Sequence, residues 1–293
     1  MKTQKIILLT FDIEEWFQVA NLSAAIKRED WGNKRSSVEQ NVDRILQILE
    51  KYKITATFFI LGWVAERHPD IIVKIYQSGH EISSHGYGHE LANRLAEDEI
   101  INDIHQSQKT LSGIIGAEIL GYRAPNFSIN DQILKQLKNF GFLYDSSYNP
   151  FRLNPRYGTL EGLGQKVSAG CYLTNSGIYE VPLSSYSFFK FPVPIAGGAY
   201  FRILPFWFFK WLVKGKIKQE PVYNFYLHPW EFEPDQERVK NIRWDYRLRH
   251  YHGLLHTAEK LEKLIVHLKE NGTEFLTIGG YINRIRSSNQ QYF

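Results

Sequence analysis

Residues 55–84 read TATFFILGWVAERHPDIIVKIYQSGHEISS, and this stretch decides the fold class. Thr55–Leu61 is a short run of apolar, β-branched and aromatic residues, which predicts a buried strand. Pro69 suits the first turn of a helix, where its missing N–H is not needed. The core face of that helix carries Ile71, Ile72 and Ile75, and Gly79 supplies the stop. Glu81–Ser84 then reads as a second short strand. A strand, a helix and a strand in so few residues predict a parallel pair joined by a right-handed crossover.

The same unit repeats on both sides. Upstream, Ile6–Asp12 is an apolar strand, and Ser36 or Ser37 can cap a helix bearing Val42, Ile45, Leu46 and Leu49. Downstream, a helix from about Glu97 carries Ile100, Ile101, Ile104 and Leu111 and ends near Gly113. Strand Leu120–Arg123, a helix with Ile133, Leu134 and Leu137, and strand Phe142–Asp145 follow. Strand Val222–Leu227, a helix of roughly Thr257–Glu270 and strand Glu274–Thr277 complete the series. The class is therefore α/β with a parallel sheet. No Pro/Gly/Ser linker divides residues 1–293, which predicts one domain, with a C-terminal extension from about residue 235 packing on it. Ser184–Lys214 breaks the pattern with Pro192, Pro194, Pro205 and many aromatic side chains. It is expected to be an aromatic-rich insertion over the sheet's mouth, or extra core beneath one.

The chain has 293 residues, a net charge of +4 and 43% hydrophobic residues, the composition of a globular protein. That charge does not make the global basic field expected of a nucleic-acid binder. A single cysteine, Cys171, excludes an internal disulfide and reads as a buried thiol. Ile6–Leu9 is too short for a signal-peptide core. No stretch approaches the ~20 apolar residues of a transmembrane span. The expected location is cytoplasmic, with a peripheral membrane association if the substrate is lipid-linked. Oligomeric state is not written in the sequence, and a homo-oligomer is compatible with it.

Chemistry collects where the predicted strands end. Asp12, Glu14, His85, Arg123, Asp145 and His228 all fall there, and in parallel barrels those ends form the active face. His85 and His89 have i, i+4 spacing and share a face if the turn is helical, as zinc ligands do. Asp12 and Glu14 are two apart, so in an extended strand end both point the same way. One carboxylate can bind a metal while the other takes a proton from water. A second group, His250, His252 and His256 with Asp245 and Glu259, lies among arginines and reads as a polar or partner-binding face.

Five motifs appear in order: Thr10-Phe11-Asp12, His85-Gly86-Tyr87-Gly88-His89, Arg123-Ala124-Pro125, Asp145-Ser146-Ser147 and Leu227-His228. Together they resemble the polysaccharide deacetylases with a NodB homology domain, carbohydrate esterase family 4, from about Ile6 to Ile282. The wording FDIEEWFQV at 11–19, LGWVAERHPD at 61–70, SHGYGHE at 84–90 and YLHPWEF at 226–232 is similar to the branch associated with exosortase and exopolysaccharide loci. The resemblance implies a distorted (β/α) barrel of about seven parallel strands and a carbohydrate substrate. It also implies one divalent ion, Zn²⁺ first, with Co²⁺ or Ni²⁺ as substitutes. It implies Asp12 as base, Arg123 as its orienting partner, His228 as acid and Asp145 as the carboxylate behind His228. His85 and His89 would hold the metal, and the Asn126 N–H would face the oxyanion. Ile13 stands where the common motif has a second aspartate, so the metal carboxylate falls to Glu14, with Glu15 as substitute. Asn126 replaces a frequent tyrosine and Tyr226 a frequent leucine. Trp16, Tyr87 and Trp230 are candidates for contact with sugar. Two other readings stay open: a hydrolase of small cyclic amides or ureides, and a carbohydrate-binding member without catalysis.

Overall fold

The computed structural model describes residues 4–151, 155–188 and 191–290. β1 (Lys5–Ile13) leads to α1 (Val38–Tyr52), β2 (Thr57–Ile60), the short α2 (Gly62–Arg67), α3 (Pro69–Gln77) and β3 (Glu81–Ser84). α4 (Glu97–Ile115), β4 (Gly121–Tyr122), α5 (Asp131–Asn139) and β5 (Tyr144–Asp145) continue the alternation. β6 (Gln165–Ser168), β7 (Cys171–Leu173) and β8 (Tyr179–Glu180) follow, then a hairpin of β9 (Ser185–Phe188) and β10 (Phe191–Pro194). The last part holds α6 (Gly198–Ile203), α7 (Phe206–Gln219), β11 (Val222–Leu227), α8 (Trp244–Tyr251), α9 (Thr257–Glu270), β12 (Thr273–Phe275) and α10 (Ile278–Gln290).

Seven strands run parallel in the order β11-β1-β2-β3-β4-β5-β8, a curled sheet that matches the expected distorted barrel. β7 and β6 extend it antiparallel, and β12 pairs with the start of β1. Side chains alternate across each strand. On β1, Ile7, Leu9, Phe11 and Ile13 face the helices, packed with Val42, Ile45 and Ile72. Ile6 and Leu8 face the lumen with Phe59, Tyr144 and Val181. Thr10 and Asp12 continue the lumen series toward the C-terminal ends of the strands. The gap between β8 and β11 is bridged by Asn224, whose Nδ2 donates to the carbonyls of Val181 (3.1 Å) and Pro182 (3.2 Å).

Some elements differ from the sequence reading. The strands expected at 120–123 and 142–145 are two residues each, although Arg123 N still donates to Ser84 O and Ser146 N to Tyr122 O, both at 2.9 Å. The strand expected at 274–277 is β12, and it is followed by α10, which the sequence reading did not include. Gly279 is needed there, since a Cβ would lie 2.4 Å from Glu81 Oε1. Glu81 Oε2 accepts from Gly279 N at 3.0 Å and so caps α10. Ile278, Ile282 and Ile285 then plug the bottom of the lumen. Ser36 and Ser37 do not cap α1 with their hydroxyls. The Glu15 carboxylate does so, accepting from Ser37 N and Val38 N. Of the aromatic insertion, Phe189 and Lys190 lie outside the described residues. The rest is the hairpin and two helices, with Phe201 and Phe209 buried against Phe225. Among the described residues no helix is long and apolar enough to cross a membrane.

Candidate active site

One pocket at the C-terminal ends of the strands is lined by Asp12, Glu14, His85, His89, Asn126 and His228, and by residues of α6. Asp12 ends the lumen series of β1. The chain turns immediately after it, with Glu14 N donating to Asp12 O at 3.1 Å. This brings both carboxylates into the pocket while Ile13 stays in the core. Glu15 points the other way, to the start of α1, so the pocket carboxylate is Glu14.

His85 follows β3 directly. Its Nδ1 donates to the Arg123 carbonyl at 2.8 Å, leaving Nε2 to face the pocket as a lone pair. The turn to His89 is not helical. Gly86 has φ +72 and His89 φ +56, a path that needs glycine at the first of these. Asp103 of α4 holds the turn, accepting from Tyr87 N and Gly88 N at 3.0 Å each. This left-handed path still brings the two imidazoles together, with ring centroids 5.7 Å apart. His89 Nε2 lies 2.5 Å from Glu14 Oε2.

One donor atom each from Glu14, His85 and His89 lies within 4.8 Å of the other two, and among the described residues no other His/Cys/Asp/Glu group does this. Glu14 Oε2 is buried and makes no hydrogen bond of ordinary geometry. Two imidazoles and a carboxylate whose Oε2 meets only the His89 ring fit a divalent ion. Burial works to raise the Glu14 carboxyl, but the charges of His89 and His228 outweigh it and lower its pKa to about 2. Burial lowers His85 to about 4, so it is a neutral imidazole, as a ligand must be.

Arg123 leaves β4 fully buried. Its Nη1 donates to Asp12 Oδ1 at 2.7 Å and to Thr10 Oγ1 at 2.8 Å, and its Nε to Ser146 O at 2.9 Å. The guanidinium lies 4.0 Å above the Phe59 ring, so the lumen core supports it from below. Asp12 therefore has a fixed cation and a fixed direction.

His228 follows β11. Here the structure corrects the expected partner. Asp145 accepts from Ser147 Oγ (2.6 Å) and Ser147 N (3.0 Å) and does not touch His228. Burial raises Asp145, and burial together with the charge of Asp145 raises Glu180 well above the carboxylate range. The two residues are paired across β5 and β8. The carboxylate on His228 Nδ1 is Glu231, at 2.8 Å. Glu231 also receives Arg202 Nε at 2.6 Å, a pair in which both side chains are buried. His228 Nε2 lies 3.3 Å from Glu14 Oε1. Burial opposes the charge on this ring, but Glu14 and Glu231 prevail and raise it to about 9.

Asn126 lines the pocket in a left-handed conformation, φ +53, which asparagine tolerates better than most side chains. The three aromatic candidates separate. Trp16 is core, its Nε1 donating to Arg35 O. Tyr87 faces away from the pocket and donates to Glu66 Oε2 at 2.7 Å. Trp230 does line the pocket, but its Nε1 donates to Glu14 Oε1 at 3.2 Å, and its ring lies between His228 and His250, with centroids at 5.1 and 4.5 Å. His250 is thus no surface residue; it is buried behind the pocket, and burial lowers it to about 3. Asp103, Arg202 and Glu231 escaped the sequence reading. The available signal was a charged residue on an otherwise apolar helix face or inside the run HPWEF. Cys171 is buried as expected, and burial pushes its thiol up to about 12.

Residues 1–144 match the sequence model of the family described as polysaccharide deacetylase, so the chain carries a polysaccharide deacetylase domain of the NodB, carbohydrate esterase family 4 type. Residues 146–281 match a family described as a domain of unknown function (DUF3473). A peptidoglycan-N-acetylglucosamine deacetylase of Bacillus cereus is 31% identical over 99 residues, 34% of this chain and 46% of that protein. The peptidoglycan-N-acetylmuramic acid deacetylase PdaC of Bacillus subtilis is 33% identical over 103 residues, 35% of this chain and 22% of that protein. The chain thus matches less than half the length of either relative. A solved structure from Mycobacterium smegmatis, provisionally described as a polysaccharide deacetylase, shares the fold with a TM-score of 0.64 and 21% identity, over 99% of this chain and 93% of that one.

Proposed function

We propose that the protein hydrolyses the N-acetyl group of an amino sugar in a polysaccharide or its precursor, releasing acetate and leaving a free amine. One observation carries this reading. An arginine-oriented carboxylate, a His₂-carboxylate donor set and a carboxylate-backed histidine converge in a single pocket. The named activities of the Bacillus relatives, both on peptidoglycan, support the same reaction class; an exopolysaccharide as the polymer rests on the resemblance of the run HPWEF and its companions to the exopolysaccharide-locus branch.

Glu14, His85 and His89 would hold the ion, with Zn²⁺ the first choice for this donor set. When bound, a divalent ion supplies Lewis acidity toward the acetamide carbonyl and the attacking water. Asp12 takes the proton of that water, aimed by the hydrogen bond from Arg123. The Asn126 backbone N–H would donate to the oxygen on which charge develops. As the carbon–nitrogen bond breaks, His228 Nε2 gives its proton to the departing nitrogen, which would otherwise leave as an unstable amide anion. Glu14 and Glu231 both favour the protonated ring, and Glu231 holds it through Nδ1.

Acetate release from N-acetylglucosamine oligomers by zinc-loaded protein tests the reading, beside Asp12→Asn and His85→Ala. Release that vanishes in both variants is the expected result. Wild type that holds zinc and tightly binds the oligomer without releasing acetate would point to a carbohydrate-binding protein. Activity confined to small ureides would replace the substrate class.

A further inference from the structure

The residues behind His228 belong to a stretch with no assigned role. We infer that Glu231 and Arg202 are positioning residues for His228, so that the region matched as a domain of unknown function builds the proton-donating arm of the site. This rests on the deacetylase reading above.

The geometry is a buried relay. His228 Nδ1 meets Glu231 Oε1 at 2.8 Å, and the His228 backbone N–H donates to the same oxygen at 3.1 Å. Glu231 Oε2 receives Arg202 Nε at 2.6 Å. Arg202 then spends its other nitrogens on three carbonyls at the end of α8. They are Arg249 O (2.6 Å), His250 O (3.2 Å) and His252 O. A guanidinium is suited to this because its fork is planar and always charged. An unpaired buried Glu231 would be costly, so removing Arg202 releases it from its place. The space is also made to measure. Gly198, on the first turn of α6, leaves room for the carboxylate, and a Cβ there would lie 1.9 Å from Glu231 Oε2. Lys260 of α9 ties α6 down further, donating to Arg202 O at 2.9 Å and Leu204 O at 3.0 Å.

Every group in this relay comes from residues 198–260. Asp12, Glu14, His85, His89 and Arg123 all come from residues 1–144. The two matched regions therefore divide the reaction, one preparing the nucleophile and the other delivering the proton that breaks the bond. Glu231 fixes the ring by holding Nδ1–H, which leaves Nε2 directed at the pocket. Arg202 fixes Glu231.

A leaving-group comparison separates positioning from general structural support. Hydrolysis of an N-acetyl amide needs a proton on the departing nitrogen, whereas 4-nitrophenyl acetate loses a phenolate that leaves unprotonated. Zinc-loaded full-length Arg202→Met and Glu231→Gln should lose about 10²-fold in kcat on N-acetylglucosamine oligomers. On the aryl acetate they should lose no more than about threefold, since the acid is not needed there. Arg202→Lys should recover part of the amide rate. Equal losses on both substrates, or none on the amide, would overturn the inference. If both variants fail to fold by thermal melting, Gly198→Ala displaces the carboxylate while keeping both charges, and the same ratio decides. A wild type inactive on both substrates would sink the deacetylase reading alone. In that case ¹⁵N-histidine spectra decide the inference. A slowly exchanging Nδ1–H of His228 that disappears in Glu231→Gln supports it, and its absence from wild type overturns it.

Discussion

The two sides of the pocket are built by opposite means. In residues 1–144 the functional groups sit directly on or after strand ends, and neighbouring strands set their spacing. Asp12, His85 and Arg123 are placed by β1, β3 and β4, and their closest supports are backbone carbonyls and one guanidinium. In residues 146–281 only His228 is placed by a strand. Its support runs outward through two buried charges into α6 and the end of α8. A ladder of backbone hydrogen bonds tolerates a changed side chain, whereas a relay of side chains fails at its weakest member. The proton-donating side should therefore be the more fragile of the two.

The sharpest break of that contrast is Asp12→Asn. Loss of the base should lower acetate release by about 10²- to 10⁴-fold, and by the same factor on 4-nitrophenyl acetate, since both substrates need an activated water. A variant that spared the aryl ester would mean that the two sides are not divided as argued. Next in size is Ile282→Ala, which empties part of the lumen plug under the strand ends. It should cost about 2–5 kcal/mol in denaturant titrations, with kcat little changed in the surviving folded protein. A large kcat loss would show that the lumen core reaches Asp12 through Phe59 and Arg123.

Acid sensitivity compares the sides with one probe. His80 lies under residues 1–144 and His250 under residues 146–281. Burial lowers the first to about 4; burial and then Arg202 lower the second to about 3. Both are neutral when folded and take up a proton when unfolded below about pH 6.5. Their contribution is complete above that pH and is lost as pH falls toward 4 and 3. By pH 5 each should remove about 2 kcal/mol of stability. Stability curves of His80→Gln and His250→Gln at pH 7 and pH 5 should each be flatter than wild type. A slope unchanged in either variant would remove that histidine from the account. The smallest effect is expected of Glu15→Gln, about 1 kcal/mol through a weakened cap on α1, with activity retained. Loss of bound zinc in that variant would return Glu15 to the metal donor set.

How much the sequence disclosed follows from the same contrast. Strand ends are legible because apolar runs stop at a polar residue, and that is how Asp12, Glu14, His85, Arg123 and His228 were found together. The i, i+4 spacing of His85 and His89 predicted a helical turn, whereas the structure brings the two rings together through a left-handed turn held by Asp103. Arg202 was missed because its partner lies on another element, and its one local mark, a charge in the apolar turn of α6, does not name that partner. Asp145 occupied the right motif, yet its carboxylate turns beneath the sheet to Ser147 and Glu180. α10 was not read at all, and its Gly279 serves a tertiary purpose, making room for Glu81.

The order of the sheet also governs how the protein is made. β1 is an interior strand, but one of its two long neighbours is β11, and Ile6 pairs with Val222. On the ribosome, β1 to β5 can assemble while β1 keeps an open edge and an apolar lumen face waiting for β11 and α10. Contacts so distant in sequence fold slowly and leave sticky intermediates. This chain is therefore expected to lean on chaperones during synthesis far more than its finished, well-filled interior suggests.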